Sequence, residues 1–244
     1  MRASLQQVDA LRGALGRLRL QGMNLQRTLF STEAQRAIPE IEESLSGFGS
    51  VLIIGSAGPS LWDVLQAKDT LSDDPIDTHC LRALNQCQEE LSDHGINCRV
   101  LWHGGSSIHL PVQALGEAAG WARQSRMGLS IHGEHGLWFA YRGVLLLGPH
   151  FRRDVVAGDS VDLQGSPCVG CPESPCVSSC PAGAVGGPSG IEADLCFTER
   201  DREGALCADR CLSRLACPVG VGSQYSLRQI AHHHAAVESL RDEG

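Results

Sequence analysis

The stretch that decides the architecture of this chain reads CVGCPESPCVSSCP over residues 168–181. A second, sparser stretch reads CFTERDREGALCADRCLSRLACP over residues 196–218, and it also ends in Cys-Pro. Together the two stretches hold eight of the chain's eleven cysteines. Three close cysteines followed by Cys-Pro are typical of bacterial [4Fe–4S] ligation, in which the cysteine before the proline binds the other cluster. The pattern therefore predicts two four-iron clusters.

The crossover rule divides the eight cysteines into two sets of four. The glycines and prolines between the cysteines favour turns, which let the thiolates converge. Some gaps are longer than usual, and we expect the additional residues to bulge outward; set 2 departs further from the usual spacing than set 1. Set 1 contains Cys168, Cys171, Cys176 and Cys217, and set 2 contains Cys180, Cys196, Cys207 and Cys211.

Two other uses for these cysteines stay open, since four thiolates also bind zinc and the same residues could form disulfides. Disulfides are rare in reducing compartments. Residues 1–20 carry charges where an export signal needs an apolar stretch, and no apolar run reaches membrane-spanning length. We therefore expect a cytoplasmic protein without membrane contact. The doubled Cys-Pro and the interleaved order favour iron–sulfur ligation over zinc and disulfides.

Length and net charge limit the number of domains and the kinds of partner that we expect. The 244 residues are enough for one core and a small appended domain. Twenty Lys and Arg stand against twenty-eight Asp and Glu, which gives a net charge of −8. Nonspecific nucleic-acid binding depends on neutralising phosphates with basic side chains, so we expect no nucleic-acid partner. An acidic surface suits docking to a basic redox partner protein.

Apolar periodicity and composition predict three regions. Residues 1–46 form a helical segment, with a second helix that begins near Thr32. Residues 47–158 form an α/β domain, and residues 159–244 form a small cysteine-rich domain with a C-terminal helix. Within the α/β domain the pattern predicts strands at 51–54, 97–102, 137–141 and 144–147, helices at 76–91 and 112–123, and a tight turn at Arg142-Gly143.

Three features outside the cysteine stretches have plain structural interpretations. Cys80, Cys87 and Cys98 are predicted to be small buried hydrophobic residues. Residues 55–60 read GSAGPS between a strand and a helix, and they lack the full phosphate-binding fingerprints, so we predict a turn. The three consecutive histidines at 232–234 point in different directions on a helix, so we predict a solvated helix face.

Residues 131–147 read IHGEHGLWFAYRGVLLL. They resemble the His-Pro-x-x-Gly-x-Trp-Phe-Ala-x-Arg-Gly-Val-x-Leu stretch of the cobalamin-processing family that decyanates and dealkylates vitamin B12, with Gly133 in place of the proline. Residues 74–77 read DPID and resemble the Asp-Pro-Val-Asp that opens a helix in that family. The resemblance covers roughly residues 50–150 and implies a corrinoid-binding α/β domain.

The order of the regions resembles epoxyqueuosine reductases, reductive dehalogenases and a group of small bacterial ferredoxin-domain proteins of unassigned activity. The first two combine a nitroreductase-like, cobalamin-binding domain with a two-cluster ferredoxin module. The resemblance implies an α+β chain, in which a nitroreductase-like, cobalamin-processing-type α/β domain precedes a small two-[4Fe–4S] bacterial ferredoxin-like domain. Because nitroreductase-like domains often dimerise, it also implies a homodimer.

The sequence also departs from these relatives. Epoxyqueuosine reductases carry an Asp proton donor in the region where residues 102–111 read WHGGSSIHLP, which contains no carboxylate. Neither the helical repeats that bind tRNA in that family nor the twin-arginine signal of dehalogenases is found in this sequence. We therefore expect neither tRNA epoxide reduction nor dehalogenation.

The resemblance implies an oxidoreductase in which two clusters deliver single electrons to a corrinoid, or a flavin, in the same chain. One alternative is a ferredoxin-type carrier that serves a separate enzyme and holds no pocket cofactor; another is a zinc-stabilised structural protein. No residue is predicted to be catalytic. The implied cofactor contacts are His132, Trp138, Tyr141 and Arg142, with Trp62 and Asp77 as outer contacts.

Overall fold

The computed structural model describes residues 3–68, 74–104, 109–151, 165–171, 173–187 and 190–242. Its contacts divide the chain into two compact units. Unit 1 comprises Met1–Trp121 and Ala140–Asp162, and unit 2 comprises Ala122–Phe139 and Leu163–Gly244. The contacts thus group residues 122–139 with the cysteine-rich tail, whereas composition had placed them in the α/β domain. The boundary predicted near Gly158 lies outside the described residues.

The described elements alternate between helices and strands in the first half and become short in the second. The helices are α1 (Leu5–Leu20), α2 (Ser31–Ala37), α3 (Ser60–Lys68), α4 (Pro75–Asp93), α5 (Val112–Ala118), α6 (Pro175–Ser178), α7 (Ala193–Arg200), α8 (Leu212–Leu215) and α9 (Leu227–Asp242). The strands are β1 (Leu25–Phe30), β2 (Ser50–Ala57), β3 (Cys98–His103), β4 (Ala122–Gln124), β5 (Ser130–His132), β6 (Phe139–Leu147), β7 (Val185–Gly187) and β8 (Gly190–Ile191).

Unit 1 is built on a four-stranded sheet with the order β1-β2-β6-β3. The predicted strand at 51–54 is confirmed, because β2 is buried along its whole length. β1 pairs antiparallel with β2, and β3 pairs antiparallel with β6. The paired helices α1 and α4 supply apolar side chains to the core beneath this sheet.

Cys80, Cys87 and Cys98 all lie in the core of unit 1, which confirms the structural interpretation. Burial raises the pKa of Cys80 to about 11 and the pKa values of Cys87 and Cys98 to about 12. These thiols therefore stay protonated at neutral pH and behave as small hydrophobic groups.

The turn predicted at residues 55–60 is shorter than expected, because β2 continues to Ala57 and α3 begins at Ser60, and the Asn24 side chain bridges its two ends. Its amide oxygen accepts the N–H of Ala57 at 2.8 Å, and its amide nitrogen donates to the Ala57 carbonyl at 3.1 Å and to the Ser60 hydroxyl at 3.2 Å. Asn24 therefore links the end of β2 to the start of α3, which supports a plain turn.

The N-terminal segment is less helical than predicted. β1 interrupts it, and the helix predicted from Thr32 toward Ser46 is the short α2 followed by 3₁₀ turns at Pro39–Ile41 and Glu43–Leu45. β1 escaped detection because it buries polar side chains. Gln26 is 1% exposed and donates to the Leu15 carbonyl at 2.8 Å, which hides the apolar pattern of the strand.

The turn predicted at Arg142-Gly143 is wrong, because β6 runs without interruption from Phe139 to Leu147. Arg142 donates from Nε to the Ser56 hydroxyl of β2 at 2.9 Å, as expected for a residue inside the sheet. Gly143 serves a close approach instead of a turn. A Cβ at this position would lie 2.6 Å from the Leu84 side chain of α4. The helix predicted at 112–123 likewise ends early, at Ala118, and β4 follows it.

The described part of unit 2 contains two small hairpins, β4-β5 and β7-β8, with the short helices α6, α7 and α8 and the longer α9. One apolar cluster joins the first hairpin to the cysteines and includes Met127, Ile131, Leu137 and Val185. A second joins Trp138 to Tyr225 and Ile230. No helix in the described part of either unit is long and apolar enough to cross a membrane.

Candidate metal centres

The eight clustered cysteines line two separate cavities in unit 2. Cavity 1 has a volume of about 290 Å³, including the space open to solvent, and is lined by the four cysteines of set 1. Cavity 2 has a volume of about 390 Å³ on the same measure and is lined by the four cysteines of set 2. All eleven cysteines of the chain are free thiols, so none of them forms a disulfide.

Tight turns carry the cysteines of set 1 around cavity 1. The Ser166 hydroxyl accepts the Cys168 N–H at 3.2 Å, and the Cys171 N–H points to the Cys168 carbonyl at 3.4 Å. Cys176 lies in the single turn of α6, a helix that begins directly after Ser174. Ser174 has a φ of +42°, the one left-handed conformation of a non-glycine residue among those described. The strained conformation of Ser174 turns the chain between Cys171 and Cys176 back toward cavity 1.

The cysteines of set 2 come from three elements. Cys180 follows α6, and its sulfur accepts the Ala184 N–H at 3.3 Å. Cys196 lies in α7, while Cys207 precedes α8 and Cys211 caps the start of α8. The residues between Cys196 and Cys207 complete α7 and then form turns, so the long gap is occupied by a helix.

The thiols shift one another's titration. Burial raises the pKa of Cys176 and Cys217, and neighbouring cysteines of set 1 raise it further. Burial also raises the pKa of Cys196 and Cys207; other cysteines of set 2 add to the rise, as Glu199 does for Cys207. Four thiolates crowded in one cavity repel each other, so a positively charged iron group that binds all four relieves this repulsion.

Four cysteine thiols around one cavity are a donor set that both a four-iron cluster and a single zinc ion use. No group of three or more His, Cys, Asp or Glu side chains in the described ranges is arranged to hold one metal ion. Four thiolates on one zinc would lie about 3.8 Å apart, given a Zn–S bond of about 2.3 Å and tetrahedral geometry. A cubane binds its thiolates at four separate corners, so they stand farther apart. The four thiols that line each cavity therefore fit the donor set of a four-iron cluster, and four-thiolate zinc stays the alternative.

Residues 132–136 pack against the chain that follows Cys217. A Cβ at Gly136 would overlap the Val219 carbonyl, and a Cβ at Gly220 would overlap the His135 carbonyl. Both glycines have positive φ values, +58° and +74°. His135 Nδ1 lies 2.7 Å from the Ser223 hydroxyl and extends the same contact. Residues 131–139, the first part of the stretch that resembles the cobalamin-processing family, therefore support the cysteine loops.

His132 is fully buried in this loop, with 0% exposure. Its Nδ1 accepts the backbone N–H of Glu134 at 3.1 Å and that of His135 at 3.2 Å. Its ring stacks on that of His135 at 4.8 Å. Burial, and then the neighbouring His135, lower the pKa of His132 to about 4. These contacts favour a structural role, in which a neutral imidazole holds the turn.

Trp138 is also buried, with 1% exposure. Its ring meets that of Tyr225 at 5.3 Å, edge to face, and the Arg214 guanidinium lies 4.6 Å from its centre. Arg214 donates from Nη2 to the Leu137 carbonyl at 2.6 Å. Trp138 is therefore a core residue of unit 2. The prediction that His132 and Trp138 contact an organic cofactor rests on their family resemblance alone.

Tyr141 and Arg142 belong to unit 1, so the structure assigns the four predicted cofactor contacts to different units. Both residues are partly exposed. The Tyr141 ring meets that of Trp121 at 5.8 Å, and a Cβ at Gly116 would overlap the Tyr141 hydroxyl. Trp62, predicted as an outer contact, is only 9% exposed and lies in α3.

Arg142 belongs to a polar cluster that the sequence did not reveal. Burial raises the pKa of the Asp77 carboxyl and Asp74 adds to the rise, whereas the charges of Arg142 and His103 oppose it. A Cβ at Gly104 would touch the Asp77 carboxylate. His103 and Ser56 were missed because each is an unremarkable polar residue near the end of a strand. Only the order of the sheet brings them near Arg142.

Sequence reasoning also missed the arginines that line the cavities. Arg126 lines cavity 1, and Arg200 and Arg210 line cavity 2. The four-residue step from Cys196 to Arg200 on a helix was the available signal. The histidines at 232–234 were predicted to be solvated, which is wrong. They are only partly exposed, the His233 ring lies 5.6 Å from that of Tyr225, and His234 lines cavity 2.

Comparison with known proteins places the fold. No family model and no curated protein matches this chain. Among solved structures, epoxyqueuosine reductase bound to a tRNA-Tyr stem loop matches with 15% identity and a TM-score of 0.53 over 92% of this chain and 69% of that one. The chain shares the fold of epoxyqueuosine reductase.

Two further epoxyqueuosine reductases agree. The enzyme from Streptococcus thermophilus matches with 14% identity and a TM-score of 0.51, over 88% of this chain and 67% of that chain. The Bacillus subtilis enzyme matches with 14% identity and a TM-score of 0.50, over 90% and 66%. The sequence-based expectation of a mixed α/β fold of this type is confirmed, and the chain spans about two thirds of the length of these proteins.

Proposed function

We propose that this chain is an iron–sulfur oxidoreductase that delivers single electrons from two [4Fe–4S] clusters to a corrinoid, or a flavin, held by the same chain. One observation carries the proposal: eight free cysteines line two cavities in groups of four, and each group has the membership that crossed ferredoxin-type ligation requires.

Each part of the chain has a definite task in this proposal. The cysteines of set 1 and set 2 bind the two clusters, which supply one-electron chemistry at low potential. The apolar residues around them, such as Ile131 and Val219 at cavity 1 and Val185 and Ile191 at cavity 2, exclude water from the thiolates. Carrying the donor on the chain that binds the acceptor makes the transfer effectively intramolecular.

The corrinoid part of the proposal rests on unit 1. Tyr141, Arg142, Asp77 and Ser56 are polar, lie on neighbouring elements of unit 1 and include partly exposed side chains. Such groups can hold the amide side chains of a corrinoid by hydrogen bonds. The fold shared with epoxyqueuosine reductase supports this assignment. His132 and Trp138 contribute by holding the loop at 132–139 in place.

Anaerobic purification tests the proposal. Iron and acid-labile sulfide should each reach about eight per chain, because each cubane contains four of each. Cobalt analysis and the absorbance spectrum then report a corrinoid, and fluorescence of an acid extract reports flavin. Zinc without sulfide would remove the electron-transfer proposal.

The burial of His132 and Trp138 favours a second candidate, a ferredoxin-type carrier for a separate enzyme. A carrier contains the same iron and sulfide but takes up neither cobalamin nor flavin at micromolar concentration. It also reduces its partner protein at a rate that falls with ionic strength, if acidic surface guides docking. Uptake of cobalamin by the purified chain therefore separates the two functions.

The remaining partner predictions stay proposals. A net charge of −8 argues against nucleic-acid binding, whereas the tRNA-bound state of one structural relative is weakly at odds with that prediction. Titration of a labelled tRNA stem loop at two salt concentrations tests it. Cytoplasmic location and homodimer formation are likewise proposed, and sedimentation of the holoprotein tests the latter.

A further inference from the structure

The two cavities differ in the charged side chains that line them. Among the described residues, cavity 1 is lined by one arginine, Arg126, which is exposed to solvent. Cavity 2 is lined by two arginines, Arg200 and Arg210, and by His234. Charge near a cluster changes its reduction potential, as do hydrogen bonds to its sulfurs and its exposure.

Arg200 is the charge placed most directly at set 2. It lies four residues after Cys196 on α7, so the two side chains share one face of the helix. Arg200 is only 7% exposed, and its Nη2 donates to the His234 carbonyl at 3.2 Å. Its guanidinium also lies 5.7 Å from the centre of the Phe197 ring. Water therefore screens this charge much less than a surface charge.

The other charges near the cavities are weaker or compensated. Arg210 forms an exposed ion pair with Asp209 at 2.6 Å. Glu199, which is near Cys207, pairs with Arg202 at 2.8 Å. Arg126 is exposed, so solvent and salt screen its effect on set 1.

Hydrogen bonds to sulfur do not separate the two sets. In set 1, the backbone N–H groups of Val177 and Val219 bond to Cys176 and Cys217. In set 2, the Ala184 N–H bonds to the Cys180 sulfur and a backbone N–H bonds to Cys207. The charged side chains that line the two cavities are therefore the difference on which the inference rests.

We propose that Arg200 makes set 2 the site of higher reduction potential, so that the first electron taken up by the oxidised protein resides at set 2. The inference rests on the proposed function, because it requires a cluster in each set. A buried positive charge stabilises the extra negative charge that one-electron reduction adds. In the test that follows, titanium(III) citrate supplies each electron and is oxidised to titanium(IV).

The test is a potentiometric titration of the anaerobically purified holoprotein at about pH 8, followed by electron paramagnetic resonance. The wild-type protein should show two one-electron transitions whose reduction equilibria differ at least tenfold, which is 59 mV. Arg200→Gln should lower the reduction equilibrium constant of the higher-potential transition at least tenfold and leave the potential of the lower transition unchanged. Arg200→Lys, which keeps the charge, should restore most of the difference. Arg126→Gln and Arg210→Gln are the matched controls, and neither should move the higher transition by as much.

Glu199→Gln, also on α7, changes the charge in the opposite direction from Arg200→Gln. It removes a negative charge near Cys207 and leaves Arg202 without this carboxylate partner, so it should raise the potential that Arg200→Gln lowers. If Arg200→Gln fails to retain iron, Glu199→Gln and the wild-type titration still decide whether set 2 has the higher potential, and Arg200→Lys, which should keep it, still tests position 200. A wild-type difference below tenfold, or a Glu199→Gln shift in the lower transition, would overturn the inference.

Different results contradict the proposed function and the role of Arg200. A protein with fewer than two clusters contradicts the proposed function before any potential is measured. A protein with two clusters and equal potentials retains the proposed function and contradicts only the role of Arg200. Iron content and potential are therefore recorded on the same sample.

Discussion

Gly136 and Gly220 lie against each other in unit 2, where the loop before β6 meets the chain that leaves Cys217. Each occupies a left-handed backbone conformation, and each faces backbone atoms of the other segment. A side chain at either position would overlap main-chain atoms, which cannot move aside as the end of a flexible side chain can. This contact ties the stretch at 131–139 to the cysteine loops.

Gly220→Ala should therefore destabilise unit 2 and loosen Cys217. The left-handed conformation alone costs about 1–3 kcal/mol, and the overlap adds to that. We expect a lower unfolding temperature and loss of iron from set 1, measured by thermal unfolding and iron analysis under anaerobic conditions. Gly222→Ala is the matched control, since a Cβ there meets no atom within 4 Å. Equal behaviour of the two variants would contradict the proposed contact.

His132 should give unit 2 a pH dependence of stability. Its pKa is lowered from 6.5 to about 4, so the unfolded state binds more protons between these values. The stabilising effect of the neutral ring is complete above about pH 6.5 and is lost as the pH falls toward 4. Between about pH 7 and pH 5.5 the loss should be roughly 1 kcal/mol.

His132→Asn tests this prediction, because its side-chain oxygen can accept the same N–H groups and does not titrate. Thermal unfolding at the two pH values should show a smaller pH effect in His132→Asn than in the wild type. The exposed His94→Asn should retain the wild-type effect. An unchanged pH effect in His132→Asn would show that other groups control the acid sensitivity.

The grouping of the cysteines could be predicted from the sequence more fully than the secondary structure, whereas metal binding by the two sets stays a prediction. The order of the cysteines contains the crossed grouping that the cavities show, because ligand spacing is a local property of the chain. β1 was missed because its buried Gln26 obtains a partner, the Leu15 carbonyl, that no local pattern reveals. Gly143 was read as part of a turn because its real constraint, the Leu84 side chain, lies on a distant helix.

The predicted cofactor contacts also depended on parts of the fold that a local stretch of sequence does not reveal. A family-like stretch of sequence indicated that His132, Trp138, Tyr141 and Arg142 act together, yet the structure divides them between two units. Burial separates them further, since only Tyr141 and Arg142 are partly exposed. Burial depends on the rest of the fold, so the stretch alone could not rank these four residues.

Arg142→Gln tests the proposed corrinoid contact in unit 1. Loss of a charged donor typically costs about 1.5–3 kcal/mol, so we expect cobalamin affinity to fall at least tenfold. Absorbance titration with cob(II)alamin under anaerobic conditions measures the affinity. Arg82→Gln, at an exposed position on α4, should bind like the wild type. Equal affinities for both variants would exclude Arg142, and no binding by the wild type would favour the carrier function.

The most direct test of the central claim is the iron and sulfide content of two cysteine variants beside the wild type. Cys171→Ser removes a ligand of set 1, and Cys211→Ser removes a ligand of set 2. We expect about eight iron atoms per chain in the wild type, about four in each single variant and none in the double variant. Cys87→Ala, in the core of unit 1, should retain the full content. A wild-type protein that stays iron-free after anaerobic reconstitution, or single variants that each lose all or none of their iron, would contradict two separate clusters.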